Sequence, residues 1–254
     1  MGLVEVERRR AVGRQLFEAF FPGRCLLCGR WLSGDEGRDG DRGARASAGG
    51  PAIPVCDPCR ASLVTIGSGR CGKCGMGLVS ERVTCMRCRK ADFVFESNVA
   101  LFPYSRQAKE LIRKLKFESR VRLAGLFADL AAAAFPPEWE TYPIVPVPSR
   151  LGRKTPDPAD RVTACLEKHH GRTVRRLLVR TGGLQQKSLD LPRRRENLRG
   201  MIRLAPDSGP SGLAPQVILL DDIFTTGATI DACARVLRDA GCQRVYSLTL
   251  AIEE

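Results

Sequence analysis

Apolar and polar positions along the second half of the chain switch repeatedly between a period of two and a period near 3.6, the signature of alternating strands and helices. Val99 to Tyr104 reads as a strand. Ser105 to Phe117 follows as a helix, with Leu111, Ile112 and Leu115 on one face and Lys109, Arg113, Lys114 and Lys116 mostly on the other. Arg122 to Phe135 is a second helix, stopped by Pro136 and Pro137. Tyr142 to Pro148 and Val174 to Val179 read as strands, and Val217 to Leu220 is a short unbroken apolar run, as expected of a strand buried on both faces of a parallel sheet. Thr229 to Ala240 is a helix and Val245 to Ile252 a closing strand. The alternation predicts an α/β domain over 93–254, a parallel sheet flanked by helices.

The first 92 residues carry no such alternation. Val4 to Phe21 places Val4, Leu16, Phe17, Phe20 and Phe21 among charges, a short amphipathic helix within residues 1–24 that docks on a neighbouring module or a partner protein. Residues 25–92 hold four Cys-x-x-Cys pairs: Cys25/Cys28, Cys56/Cys59, Cys71/Cys74 and Cys85/Cys88. Each pair aims two thiolates at one point, and two pairs close a tetrahedron, so four pairs supply two structural zinc ions. Sequential pairing and a crossed arrangement both satisfy the spacing. A redox role suits one pair but does not account for four. Between the first two pairs, residues 33–54 are rich in Gly, Ser and charge and read as a flexible loop. Cys233 and Cys242 fall on an apolar helical pattern and its exit, where core packing explains them.

Charge and compartment narrow the partners. The 41 Lys and Arg against 28 Asp and Glu leave a net charge of +13, which favours anionic partners. No stretch reaches the roughly 20 apolar residues of a membrane span, and Arg8, Arg9 and Arg10 follow rather than precede any apolar stretch, against a signal peptide. The expected location is the cytoplasm, where cysteines stay reduced and bind metal rather than pair as disulfides.

The chemistry concentrates after the apolar run. Asp221 and Asp222 stand at its carboxyl end, where open α/β sheets place ligands, and Thr225, Thr226, Gly227, Ala228 and Thr229 turn the chain into the next helix. A helix start of this kind attracts an anion. The carboxylates repel phosphate and instead accept hydrogen bonds from sugar hydroxyls. One phosphate and one ribose fit the turn.

The segment DDIFTTGAT resembles the 5-phosphoribosyl 1-pyrophosphate (PRPP) motif of type I phosphoribosyltransferases; it is not a Walker A loop. Val147, Pro148, Ser149 and Arg150 occupy the place of that family's pyrophosphate loop. With the cysteine pairs in front, and with Gln186, Leu189, Arg194 and Asn197 matching a further spacing, the whole order is similar to the ComF family of competence-associated proteins. The resemblance implies a type I phosphoribosyltransferase-like sheet behind a zinc-ribbon-like module, PRPP bound with Mg2+, and a role in DNA uptake. By the same resemblance Asp221 and Asp222 hold the ribose hydroxyls, Thr225 to Thr229 the 5-phosphate, and Ser149 and Arg150 the pyrophosphate. The chain departs from the family at Lys154-Thr155-Pro156-Asp157-Pro158, where a glycine-containing motif is usual, and Thr225 replaces the acid that handles the base proton in hypoxanthine-guanine enzymes. An enzyme releasing pyrophosphate, a PRPP sensor that docks a partner through the zinc module, and a binder of single-stranded DNA through the clusters Arg113/Lys114/Lys116/Arg120/Arg122 and Arg193/Arg194/Arg195/Arg199 are the competing expectations.

Overall fold

The computed structural model describes residues 25, 27–30, 55–63, 66, 69–78, 83–117, 121–149, 156–181, 200–206, 208 and 213–253. The expected N-terminal helix, the loop 33–54, Arg150, the Gln186 to Asn197 segment and the second basic cluster lie outside the described residues. The chain divides into two compact units, Met1–Ser62 and Leu63–Glu254. In the first, the described residues comprise the first two cysteine pairs and a one-turn helix α1, Asp57–Ala61, which Pro58 helps to start.

Among the described residues, the second unit is built on four parallel strands in the order β1-β6-β5-β2. They are β1 Asn98–Pro103, β2 Ile144–Pro146, β5 Gln216–Phe224 and β6 Arg244–Ile252. Val217, Ile218, Leu219 and Leu220 have no exposed surface, so the unbroken apolar run is indeed buried on both faces. A separate antiparallel pair joins β3 Leu178–Arg180 to β4 Ile202–Leu204. The strand expected over Val174 to Val179 is thus split: Val174 makes one bridge to Ile144, and the regular strand starts only at Leu178, facing β4.

Helices cover the sheet as the periodicity requires. A five-residue helix α2, Met86–Lys90, lies ahead of β1, and α3, Arg106–Phe117, follows that strand. Helix α3 buries Ala108, Leu111, Ile112 and Leu115, one stripe at spacings of three and four, and Ser105 Oγ accepts the Ala108 N–H at 3.3 Å to start it. Helix α4, Val121–Ala134, ends before Pro136, and Pro137–Trp139 then forms a 3-10 turn. Helix α5, Pro158–His170, begins on a proline and ends at Gly171, whose φ of 63° supplies the left-handed stop. Helix α6, Ala228–Asp239, connects β5 to β6. The apolar core on the α6 side runs without interruption from Val217, Leu219 and Cys233 through Phe93 and Phe95 to Cys71, Cys74, Cys85 and Cys88. The last two cysteine pairs are therefore part of the sheet's own core.

Candidate functional site

Strand β5 continues past its apolar run. Asp221 and Asp222 lie inside it, Asp221 opposite Thr249, and the strand ends at Phe224 rather than Leu220 because β6 pairs with it as far as Ile252. On its other edge β2 stops at Pro146, the partner of Leu220, with one more bond from the Val147 N–H to the Leu220 carbonyl at 2.9 Å. The acid pair thus occupies the point where one neighbour strand has ended and the other continues. Ser149, half-buried, lies three residues past the end of β2.

Successive strand residues face opposite sides of a sheet. Asp221 falls on the α6 side, where burial first and then the nearby Asp221 carboxylate push the Cys233 thiol up, whereas Asp222 meets Lys116 of α3 at 3.9 Å. Asp221 Oδ1 accepts the Asp222 N–H at 2.8 Å. Burial, then the Asp222 charge, hold the Asp221 carboxyl well above the ordinary 3.8. Burial also raises Asp222, with Lys116 opposing. Asp157, from the segment that departs from the family pattern, adds negative charge to both. The site is an electronegative corner that gains from any hydroxyl donor or cation brought to it.

The turn after β5 is at the surface: Thr225 is exposed, Thr226 and Thr229 half-buried, Gly227 and Ala228 buried. Gly227 sits at φ 78°, and a Cβ there would come within 2.7 Å of Phe224 and 3.0 Å of Phe93, so only glycine fits. Thr226 Oγ1 accepts the Ala228 N–H at 3.4 Å. The first turn of α6 opens beside these threonines. Sequence reasoning missed what closes the turn from behind. Phe93 packs on Phe95 with ring centroids 4.9 Å apart and planes tilted by 32°, and Phe95 meets Phe224 edge-on at 6.1 Å. Arg87, between Cys85 and Cys88, donates to the Thr225 carbonyl and, at 3.1 Å, to the Glu253 carbonyl. Asp231 of α6 accepts the Val94 N–H at 2.8 Å and pairs with Arg235 at 3.0 Å, and Arg235 donates to the Asp92 carbonyl at 2.7 Å.

The eight cysteines form two tetrads, Cys25/Cys28/Cys56/Cys59 and Cys71/Cys74/Cys85/Cys88, each with its sulfur atoms within 4.8 Å of one another. The pairing is sequential. Sulfurs of neighbouring pairs stand 3.7 Å apart in both tetrads, Cys28 to Cys56 and Cys74 to Cys85. That is far too long for a disulfide and matches the edge of a tetrahedron with zinc–sulfur bonds of about 2.3 Å. Backbone N–H groups of Leu27 and Cys56 point at Cys25 Sγ, and that of Cys85 at Cys71 Sγ. Burial alone would push both thiols up, but backbone hydrogen bonds outweigh it and bring each to about 6. Burial and the neighbouring thiolate charge hold Cys59 and Cys74 up at about 12. A set of four sulfurs that cannot all ionise without a cation fits zinc. The second tetrad is anchored to the sheet: Asn98 of β1 donates to the Cys74 carbonyl at 2.9 Å and to Thr249 Oγ1 at 3.2 Å, and Ser247 donates to its Oδ1 at 2.8 Å.

Among the described residues the basic face of α3 is partly engaged, with Glu110 pairing Arg113 at 2.9 Å and Lys114 at 3.5 Å. His170 pairs with Asp129 at 2.9 Å, far from the turn in sequence, at a capped helix end. No helix of the described residues is long and apolar enough to cross a membrane.

No protein-family model matches the chain. It is similar to the competence protein ComFC of Streptococcus pneumoniae, 24% identical over 198 residues, which span 77% of this chain and 86% of that protein. The competence protein ComFC of Bacillus subtilis is 26% identical over 217 residues, 79% of this chain and 85% of its own length. The competence protein F of Haemophilus influenzae is 26% identical over 195 residues, 71% of this chain and 83% of its own. Over most of its length the chain is a homologue of the ComF competence proteins.

Proposed function

We propose that this homologue of the ComF competence proteins binds PRPP, or another 5-phosphorylated ribose, at Asp221 to Thr229, and that this binding serves a role in DNA uptake. The observation that carries the reading is the acid pair at the point where β2 stops and β5 continues, followed by a surface turn that opens a helix. Strand ends of this kind are where parallel α/β sheets hold ligands. Asp221 and Asp222 would accept hydrogen bonds from the ribose hydroxyls, each new donor relieving the penalty that burial and mutual repulsion place on the ionised pair. The threonines and the first N–H groups of α6 would hold the 5-phosphate. Ser149 and Arg150 would take the pyrophosphate end. Carboxylate oxygens are the donors a hard cation takes, and Mg2+ arriving with PRPP would neutralise pyrophosphate charge.

Transfer from PRPP needs no protein nucleophile, since positioning and charge stabilisation carry such reactions. Thr225 supplies no general base near neutral pH. An acceptor that carries its own reactive nitrogen, or no acceptor at all, suits the site better than a purine needing deprotonation.

Calorimetric titration of PRPP with Mg2+ into the full chain tests the reading: wild type gives a saturable heat and Asp222→Asn loses at least tenfold in affinity, in line with removing a charged hydrogen-bond acceptor. Identical heats from both proteins would refute it. Nucleic-acid binding without turnover is the weaker reading, because Lys116, Arg113 and Lys114 already have acidic partners within 4.0 Å on or beside α3.

A further inference from the structure

We infer that Arg87 is a positioning residue for the Thr225 to Thr229 turn, so that the second cysteine tetrad sets the shape of the ligand site from behind. Three observations carry this, each independent of what the turn binds. Arg87 lies between the metal-ligating candidates Cys85 and Cys88, so whatever fixes those two sulfurs fixes its backbone. Its guanidinium bridges two carbonyls at the ends of adjacent strands, Thr225 after β5 and Glu253 after β6. The chain leaving the tetrad then lies against the same turn: Phe93 occupies the space a Gly227 side chain would need, Val94 donates its N–H to Asp231, and the Asp92 carbonyl takes Arg235.

The consequence follows from geometry. A turn that binds a phosphate through N–H groups must hold its peptide planes in one orientation, and a peptide plane is fixed when its carbonyl is held. Arg87 holds the Thr225 carbonyl, which belongs to the same peptide as the Thr226 N–H. Its planar fork can serve two acceptors at once, whereas a lysine ammonium in its place would lack that fixed geometry. Gly227 would otherwise make this the most deformable point of the loop. The contact thus converts a rigid metal knuckle into a rigid anion turn.

The test uses the full, zinc-loaded chain and reads hydrogen exchange at the amides of residues 226–228, together with zinc content and PRPP affinity. Arg87→Ala is expected to keep two zinc ions, to exchange at these amides about tenfold faster, and to bind PRPP five- to tenfold more weakly. Arg87→Lys should fall between. Arg89→Ala, in the same short helix but with its side chain donating to Met86 rather than to the turn, should match wild type in all three readouts. Unchanged exchange in Arg87→Ala with zinc retained overturns the inference; so does loss of zinc from that variant, which would make Arg87 a structural part of the tetrad. The affinity readout rests on the proposed function, whereas exchange and zinc content do not. If wild type fails to bind PRPP but exchange still rises in Arg87→Ala, the function assignment falls and the positioning role stands.

Discussion

Asp221 carries a carboxyl that the folded chain disfavours in its charged form, since burial and Asp222 raise it from 3.8. A raised acid contributes stability that is complete below the unfolded value and is lost as pH rises through the folded one. Asp221→Asn keeps an oxygen for the Asp222 N–H and removes the charge. It is therefore expected to melt higher than wild type at pH 7, with the gain shrinking as pH falls toward 4. A pH-independent difference in melting temperature would show that the charge is not the cause. Gly227→Ala tests the neighbouring position. A left-handed φ with a Cβ 2.7 Å from Phe224 predicts a loss of roughly 2 kcal/mol or more, read as a melting temperature lower by several degrees. At this scale the sequence was informative about type and silent about surroundings. Two adjacent acids and a Thr/Gly turn are visible as residues, but Lys116, Asp157, Phe93 and Arg87 reach the corner from elements up to about 140 residues away in the chain, and no local pattern signals such contacts.

At the scale of elements, the two tetrads differ in what they support. The first belongs to the unit Met1–Ser62, while the second is built into the apolar core on the α6 side. Both Cys28→Ser and Cys71→Ser should reduce bound zinc from two ions to one. Cys71→Ser alone should also lower the melting transition of the sheet by ten degrees or more, because metal binding of this type contributes several kcal/mol or more to folding. Metal analysis and thermal melting of the two variants decide it; equal melting temperatures would mean that the second tetrad does not brace the sheet. The paired CxxC spacing made the metal sites legible, yet the spacing cannot say which core a knuckle joins. Helix α3 and strand β1 were readable because their apolar stripes are regular. Strand β5 was read four residues short at its carboxyl end, since a charged pair breaks the apolar run although backbone pairing with β6 continues through it. Strand β4 was missed because it is only three residues long, Ile202 and Leu204 packing inward around an exposed Arg203, too short a run to mark a strand by alternation.

Across the whole molecule the net charge of +13 invites polyanions, but neutralising pairs near the site take up part of the described basic surface. If single-stranded DNA is a partner, its affinity should fall with salt at a log–log slope of roughly 0.7 per phosphate neutralised, and excess PRPP should leave that slope unchanged, because the two anions would use different surfaces. Filter binding from low to physiological salt measures it, and competition by PRPP would instead place the nucleic-acid phosphate in the turn. The fold class was legible from alternation alone, and the similarity to competence proteins followed from the order of motifs rather than from any one of them. The bound ligand is what that order leaves to experiment. A crystal structure of the full chain with PRPP and Mg2+ tests the central claim most directly. The account predicts the 5-phosphate against the N–H groups of residues 226–229 and the ribose hydroxyls on Asp221 and Asp222; a ligand seated elsewhere, with this turn empty, would contradict it.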